Sequence, residues 1–260
     1  MKKIFATFLI ISILLSFGIT TSANSETNAK EYSWYVTRNK DHLQPKADTN
    51  MQFVEDYNGY YVNKNYDDDS KEKVIYLTFD AGYENGNIES ILNTLKEENV
   101  SAAFFILNYL IVKNPDIVKR MANEGHTVCN HTYKHTNITT FESKELLKND
   151  LELLEKSYKN LTGKDMEKYF RPPEGRFNKE SIEYLSSLGY KTVFWSFAYA
   201  DWDNNNQLSC NKAKEKILQN IHNGAILLLH PTSKTNAMIL KDLINDLRSQ
   251  GYRFGTLDEL

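Results

Sequence analysis

From residue 74 onward, short apolar segments alternate with segments whose apolar residues recur at helical spacing. The apolar segments have no polar face, which is typical of parallel strands buried on both sides. The segments between them resemble helices that cover a sheet. The predicted strands are 74–79, 102–107, 127–130, 169–170, 192–197 and 225–229. Six or seven such units in this span favour an α/β fold, a short or incomplete (β/α) barrel rather than an open sheet.

The first 23 residues have the pattern of an export signal. Lys2 and Lys3 precede an apolar run from Ile4 to Ile19, and small residues follow it. This pattern predicts a cleaved signal peptide. The alternative is an uncleaved anchor, for which the run is short. We therefore expect residues 1–23 to be removed and the protein to be exported, meeting the membrane only through this segment.

Residues 24–73 are polar and have little periodicity. They predict an N-terminal arm that precedes the barrel of residues 74–260. The arm would pack on the barrel through its aromatic side chains. These are Trp34, Tyr35, Phe53, Tyr57, Tyr60 and Tyr61.

Charge and cysteine content limit the partners. The net charge of the chain is -3, and removal of Lys2 and Lys3 leaves 29 Lys and Arg against 34 Asp and Glu, a net charge of -5. With no block of basic residues, we expect no nucleic acid partner. Cys129 lies in an apolar strand and Cys210 in a polar loop, so we predict two free thiols, although export permits a disulfide.

Ionisable side chains stand at or near the ends of five predicted strands. In parallel α/β folds, the carboxyl ends of the strands meet on one rim, where active sites form. One such residue would carry little information, but five on the same rim predict a single site. They are Asp80, His131, Arg171, Asp201 and His230.

His131 and His135 are candidate metal ligands. Four residues apart, they would face the same way on a helical turn, as a pair of divalent-metal ligands does. Two unrelated surface histidines are the alternative. An imidazole pair favours zinc first, with cobalt, nickel or manganese as alternatives.

Asp80 and His230 are the candidate proton carriers. Asp80 is a loop cap, a metal ligand, or a general base that Arg171 would hold ionised. His230 follows an apolar strand and would be either an acid oriented by Asp201 or a core histidine bonded to a backbone carbonyl. A carboxylate base, an imidazole acid and a Lewis-acid metal together predict a metal-assisted hydrolase.

Five short motifs contain these site residues. In chain order they are Thr78-Phe79-Asp80, His131-Thr132-Tyr133-Lys134-His135, Arg171-Pro172-Pro173, Asp201-Trp202 and Leu228-Leu229-His230. Together they resemble the motifs of the polysaccharide deacetylases, the family four carbohydrate esterases, over about residues 74–260. The resemblance implies a deformed, incomplete (β/α) barrel, a divalent metal, and hydrolysis of N-acetyl groups of aminosugar polymers.

The resemblance also implies a role for each site residue. Asp80 would activate water and His230 would protonate the leaving amine. Arg171 would tune the base, and Asp201 would orient the acid. His131 and His135 would bind the metal. The candidates for substrate binding are Leu229, as a wall for the acetyl methyl, and Tyr83, Trp202 and Arg176.

Two positions depart from the family pattern. Ala81 stands where the family usually has a second Asp, the third protein ligand of the metal. The metal would keep two imidazoles and water, with Asp80 as a further candidate ligand, so we predict a weak metal site. Ala198 stands where many members carry an Asp.

These departures, the stretch Thr78–Gly86 and the aromatic arm resemble the delta-lactam-biosynthetic de-N-acetylases. That likeness implies a substrate, N-acetylmuramic acid in peptidoglycan strands whose peptide an amidase has removed. The product would lead to muramic-δ-lactam in the spore cortex. The implied location is the cell wall or the forespore intermembrane space, and we expect a monomer.

Two alternatives remain open. The first is a deacetylase of N-acetylglucosamine in peptidoglycan or a chitin-like polymer. A pocket for muramic acid would need room for its lactyl group and a positive charge, for which Arg176 and Lys234 are candidates. The second alternative is a wall-binding protein that lost catalysis with its third metal ligand.

Overall fold

The computed structural model describes residues 30–37 and 41–260. The predicted signal peptide, and residues 24–29 and 38–40 of the predicted arm, lie outside the described residues. The strands are β1 Tyr32–Ser33, β2 Gly59–Tyr60, β3 Lys73–Ala81, β4 Ala103–Ile106, β5 Thr127–Asn130, β6 Tyr169–Phe170, β7 Arg176–Phe177, β8 Lys191–Val193, β9 Ala225–Leu229 and β10 Tyr252–Gly255. The helices are α1 Asn87–Glu97, α2 Asn108–Lys113, α3 Pro115–Asn123, α4 Lys144–Thr162, α5 Lys179–Ser187, α6 Cys210–Leu218 and α7 Lys234–Ser249.

Eight strands form one parallel sheet in the order β10-β3-β4-β5-β6-β8-β2, and β9 also pairs with β3. After β8, a single parallel bridge joins Phe197 to Leu227 of β9 and curls the sheet into a ring. The prediction of an α/β fold with a deformed, incomplete barrel is confirmed. The barrel is incomplete because isolated bridges, this one and an antiparallel one from Val62 to Ala225, replace a ladder at this closure.

Side chains on β3 and β9 alternate between the helices and the barrel interior. Ile75, Leu77 and Phe79 belong to the core beneath the helices, whereas Val74 and Tyr76 belong to a separate interior cluster. This alternation follows from the two-residue period of a strand. By the same alternation, the side chain of Asp80 points into the barrel interior, near the end of the barrel.

Three local features differ from the sequence prediction. The strand predicted at 192–197 ends at Val193, and only Phe197 resumes pairing. The short helix α2 and the strand β10 had no prediction. β10 exists because it pairs with the first half of β3, a partner that is distant in sequence.

The described part of the predicted arm contributes to the barrel. β2 pairs with β8 in the barrel sheet, and β1 pairs with β7 in a separate two-stranded antiparallel sheet. Trp34 and Tyr61 are buried in one aromatic-rich cluster. Tyr35 is not an anchor, since half of its surface is exposed and its hydroxyl donates to Asp48.

Cys129 and Cys210 are free thiols, as predicted. Over residues 30–37 and 41–260, no helix combines the length and the apolar character needed to cross a membrane.

Candidate active site

The carboxyl ends of β3, β5, β6 and β9 lie on one rim, because these strands are parallel members of one curled sheet. A cavity of about 620 Å³ opens at this rim. Among its lining residues are Asp80, His135, Trp202 and His230 from the sequence prediction, together with Trp195 and Tyr199. The structure therefore brings together residues that are up to 150 positions apart in the chain.

Asp80 is held by a fully buried arginine. Arg171 donates from Nη1 to Asp80 Oδ1 at 2.8 Å, and its Nη2 donates to Thr78 Oγ1 at 2.9 Å. The carbonyls of Val193 and Phe194 accept from Arg171 at 2.9 and 3.1 Å. Burial alone would raise the pKa of the Asp80 carboxyl, but the charge of Arg171 and the nearby imidazoles hold that pKa below its usual value. An ionised, fixed carboxylate of this kind is suited to act as a general base.

His131 and His135 lie in a loop, so the predicted placement on one helical turn is wrong. Thr132 and His135 have left-handed backbone angles, with φ of 67° and 62°. Such values are unusual for a residue with a side chain, above all for a β-branched one. Asn130 stabilises the turn by accepting from the Thr132 N–H at 2.9 Å. The turn still brings the two imidazoles together, with ring centres 5.0 Å apart.

The hydrogen-bond partner of His131 fixes its tautomer. Nδ1 lies 2.8 Å from the Arg171 carbonyl, which can only accept, so Nδ1 carries the hydrogen. The unprotonated Nε2 lies 3.7 Å from Asp80 Oδ2. Burial lowers the pKa of His131 to about 4. His131 is thus a neutral imidazole at pH 7, which is the form that binds a metal.

The two imidazoles are donor groups that could hold a divalent metal, and a carboxylate lies nearby. His131 and His135 supply the nitrogens, and Asp80 lies close to the first of them. Within the described part of the chain, no group of three or more His, Cys, Asp or Glu could hold a metal ion. Ala81 is fully buried in the core beneath the helices and offers no ligand.

Asp201 and His230 form a second ionisable pair on the same cavity. The Asp201 carboxylate is fully buried and lies 2.7 Å from His230 Nδ1. It also accepts from the backbone N–H of His230 at 2.8 Å. Burial alone would lower the pKa of His230, but the hydrogen bond and charge of Asp201 raise it above the usual value. His230 is thus suited to donate a proton.

Two further residues, Asn236 and Tyr199, extend the hydrogen-bond network of the pair of Asp201 and His230, and neither was predicted from the sequence. Asn236 donates to Asp201 Oδ2 at 2.6 Å, and the Tyr199 hydroxyl donates to the Asn236 side-chain oxygen. Asn236 is buried in the first turn of α7. A polar residue beside the apolar stripe of α7 was the only signal, and a helical pattern does not say which carboxylate it meets.

The predicted substrate contacts have mixed outcomes. Trp202 lines the cavity and is 62% exposed. The placement of Leu229 was wrong, because its side chain lies in the core beneath the helices and Leu228 lines the cavity instead. Neighbouring strand residues point to opposite faces, so a shift of one position exchanges wall and core.

Tyr83, Arg176 and Lys234 are not among the residues that line this cavity. Tyr83 borders a neighbouring depression and accepts a hydrogen bond from Asn204 at 2.8 Å. Arg176 is bound to Glu31 at 2.6 Å, so its charge is already matched. Lys234 is exposed at the start of α7.

Comparisons with known proteins agree with this site. The family model described as polysaccharide deacetylase matches residues 67–193. The peptidoglycan-N-acetylmuramic acid deacetylase PdaA of Bacillus subtilis is 37% identical over 251 residues, covering 96% of this chain and 92% of that protein. The chain belongs to the polysaccharide deacetylase family. It is therefore a hydrolase that acts on an N-acetyl amide, as the motifs predicted.

Two solved structures and a further relative extend the comparison. The structure of Bacillus subtilis PdaA, a family 4 carbohydrate esterase, matches with a TM-score of 0.82 over 89% of this chain and 97% of that chain. A Bacillus cereus peptidoglycan-N-acetylglucosamine deacetylase is 32% identical over 87% of this chain and 82% of its own length. A family 4 pseudoenzyme from Bacillus anthracis matches with a TM-score of 0.69 at 26% identity, over 78% of this chain and 68% of that chain.

Proposed function

We propose that the protein removes the acetyl group from N-acetylmuramic acid residues of peptidoglycan. The observation that carries this proposal is the pairing of two proton carriers on one cavity, Asp80 held by Arg171 and His230 held by Asp201. The pKa shifts of Asp80 and His230 go in opposite directions. They widen the pH range in which the first is a base and the second an acid.

In the first step, Asp80 takes a proton from a water molecule. The water oxygen bonds to the carbonyl carbon of the acetamide, and the carbonyl becomes an oxyanion. Arg171 keeps the carboxylate in place through one hydrogen bond. Three further hydrogen bonds, to Thr78 and to the carbonyls of Val193 and Phe194, fix Arg171 itself. Because Arg171 is fixed by backbone carbonyls, the base needs little reorganisation during the reaction.

In the second step, His230 gives its proton to the amide nitrogen. The carbon–nitrogen bond breaks, and acetate and a free amine are released. The buried Asp201 carboxylate stabilises the protonated imidazole before the transfer and keeps Nδ1 oriented toward itself. Asn236 and the backbone N–H of His230 hold Asp201 in turn.

His131 and His135 would hold a divalent metal, with zinc the first candidate. When bound, such an ion supplies Lewis-acid polarisation of the acetamide carbonyl. The neutral state of His131 and its free Nε2 support this assignment. With two imidazoles and no second aspartate, we expect the affinity for the metal to be low.

The likeness to PdaA across nearly the full length of both proteins favours N-acetylmuramic acid as the substrate. On muramic acid, the freed amine can attack the lactyl carboxyl group, closing a δ-lactam with loss of water. The δ-lactam would be formed in the spore cortex. Its formation there requires export of the enzyme to the wall or the intermembrane space. Strands without peptide have a free lactyl carboxyl, so prior action of an amidase is expected.

An N-acetylglucosamine deacetylase is the second candidate. The Bacillus cereus relative favours it, and so does the pairing of Arg176 with Glu31, which removes one candidate charge for the lactyl group. A wall-binding protein without activity is the third candidate, and the Bacillus anthracis pseudoenzyme is its precedent. Retention of Asp80, Arg171, Asp201 and His230 argues against it.

The test is the mass of the muropeptides after incubation with peptidoglycan strands trimmed by an amidase, with and without added zinc. Loss of acetyl, followed by loss of water, from muramic acid is the expected result. Acetyl loss from glucosamine alone would establish the second candidate. If no acetate is released with any divalent metal, the third candidate, a wall-binding protein without activity, would remain.

A further inference from the structure

Two residues of the N-terminal arm, Glu31 and Trp34, lie behind the wall of the catalytic cavity. Trp34 bonds to two residues that line it, and Glu31 bonds to residues close in the chain to the lining residues Gly175 and His135. Both lie before the family model begins at residue 67. Neither belongs to the motifs that carry the chemistry. We call this pair the wall brace.

Trp34 fixes the backbone on two sides of the wall. Its backbone N–H donates to the carbonyl of Gly175 at 2.8 Å, and its indole Nε1 donates to the carbonyl of Trp195 at 2.9 Å. The indole also stacks on Phe194, with ring centres 4.3 Å apart. Gly175 and Trp195 both line the cavity. One residue therefore connects two parts of the wall, through its backbone on one side and its buried side chain on the other.

Gly175 shows how tightly this wall is packed. A Cβ atom at this position would lie 2.7 Å from the Trp195 ring and 3.1 Å from Trp34 Cβ. The backbone of Gly175 is left-handed, with φ of 65°. The turn thus needs glycine for its conformation and for its space. Trp34 is therefore linked to Trp195 by the indole hydrogen bond and by close packing at the Gly175 turn.

Glu31 connects the wall to the loop that carries His135. Glu31 Oε1 accepts from Arg176 at 2.6 and 3.0 Å. Glu31 Oε2 accepts from Asn137 at 2.8 Å and from the hydroxyl of Thr139. These hydrogen bonds lower the pKa of Glu31, so it stays ionised at neutral pH. The brace therefore spans two of the loops that border the cavity.

We propose that Glu31 and Trp34 are positioning residues that set the fit of the cavity to its sugar. The inference rests on the proposed deacetylation of a peptidoglycan sugar and adds a determinant of specificity outside the catalytic motifs. Neither residue touches the reacting atoms. Their effect should therefore fall on substrate binding, and the chemical step should change little.

The decisive variant is Trp34→Phe, which retains an aromatic ring but loses the hydrogen bond to the Trp195 carbonyl. We expect KM for amidase-trimmed strands to rise by about fivefold or more, with kcat within about twofold of wild type. Trp34→Ala should have a larger effect on KM, but it also removes buried surface. The free energy of unfolding is measured for each variant by chemical denaturation.

Phe53→Leu is the matched control. Phe53 packs in the same cluster, against Tyr32 and Phe177, but does not line the cavity. It should lower the free energy of unfolding and leave KM unchanged. If Trp34→Phe leaves KM unchanged, or if Phe53→Leu raises KM equally at the same loss of stability, the brace is only structural and the inference is wrong.

Glu31→Gln tests the other end of the brace and should also raise KM, since one oxygen that accepts hydrogen bonds is lost. Its matched control is Glu55→Gln, which removes an ion pair with Lys64 away from the cavity. Equal KM values for the two variants would exclude Glu31 from the brace.

A failure of the proposed function can be distinguished from a failure of the wall-brace inference. If the wild-type protein releases no acetate, the affinity for the same strands is measured by titration calorimetry. Weaker binding by Trp34→Phe and unchanged binding by Phe53→Leu would then support the brace without catalysis. Unchanged binding by both variants would overturn it.

Discussion

His131 and His230 both lie at strand ends on the same rim, the first buried and the second partly buried, yet their pKa values move in opposite directions. The pKa of His131 falls to about 4, whereas that of His230 rises above the usual value. His230 lies 2.7 Å from a buried carboxylate, and His131 is bound by a backbone carbonyl. The carboxylate nearest to His131, Asp80, lies 3.7 Å away and is already paired with Arg171.

The difference shows that burial by itself keeps a histidine neutral and that a direct carboxylate partner reverses this effect. One imidazole is thereby suited to bind a metal, and the other to donate a proton. The same residue type thus takes opposite roles at one cavity. The predictions below test this division, from the largest expected effect to the smallest.

The largest effect is expected for loss of either proton carrier. Asp80→Asn and His230→Ala should each lower kcat by about a hundredfold or more, as for other acid–base groups. Acetate release from amidase-trimmed strands is the measurement. His126→Asn is the control, because His126 is also buried but does not line the cavity. Near wild-type rates in either site variant would refute the assignment.

Asp201→Asn should show whether Asp201 raises the pKa of His230. Activity needs protonated His230, so the rate falls as pH rises through the pKa of His230. Asp201 raises that pKa, so its removal should shift the alkaline limb of the kcat profile to lower pH. At neutral pH we expect a fall in kcat of about tenfold. An alkaline limb that does not move would assign it to another group.

Ala81→Asp tests the assignment of His131 and His135 as metal ligands. A third ligand should tighten zinc binding by about tenfold or more, measured by calorimetry on the metal-free protein. Ala81 is buried in an apolar environment, so the new carboxylate should destabilise the protein unless metal is bound. Zinc should then raise Tm more than in wild type.

Ala81→Asn is the control for this variant, since it has a similar volume and a weaker donor atom. Because Ala81 faces the core beneath the helices, the new carboxylate becomes a ligand only if it turns toward the cavity. Unchanged affinity in Ala81→Asp would mean either that it stays in the core or that the metal does not bind at His131 and His135.

The smallest effect concerns stability. Burial lowers the pKa values of His126 and His222 to about 4, and neither residue has a carboxylate among its hydrogen-bond partners. Each takes up a proton more readily when unfolded, so its contribution to stability is complete above about pH 6.5 and is lost as pH falls toward 4.

Chemical denaturation between pH 7 and 5 should show this loss, at most about 1.4 kcal/mol per pH unit for each histidine. His126→Asn should reduce the slope, because an amide oxygen can still accept from the Ala102 N–H but does not titrate. An unchanged slope would mean that His126 is protonated equally in both states.

Much of the site could be predicted from the sequence, because ionisable residues stand at or near the ends of apolar strands. Asp80, Arg171, Asp201 and His230 were identified in this way. Parallel strands force their carboxyl ends to one rim, so a sequence pattern is enough to predict that such residues meet. The α/β fold was predictable for the same reason, whereas the missing metal ligand at Ala81 was recognised only from the resemblance to the family.

Only the tertiary structure decided the finer placements. A shift of one strand position exchanged Leu229 for Leu228 in the cavity wall. The histidine pair uses a left-handed turn instead of a helix. The partners of Asn236 and Trp34 lie 35 and 161 positions away. Local sequence patterns fix the faces of elements, whereas contacts between distant segments depend on packing, which no local period records.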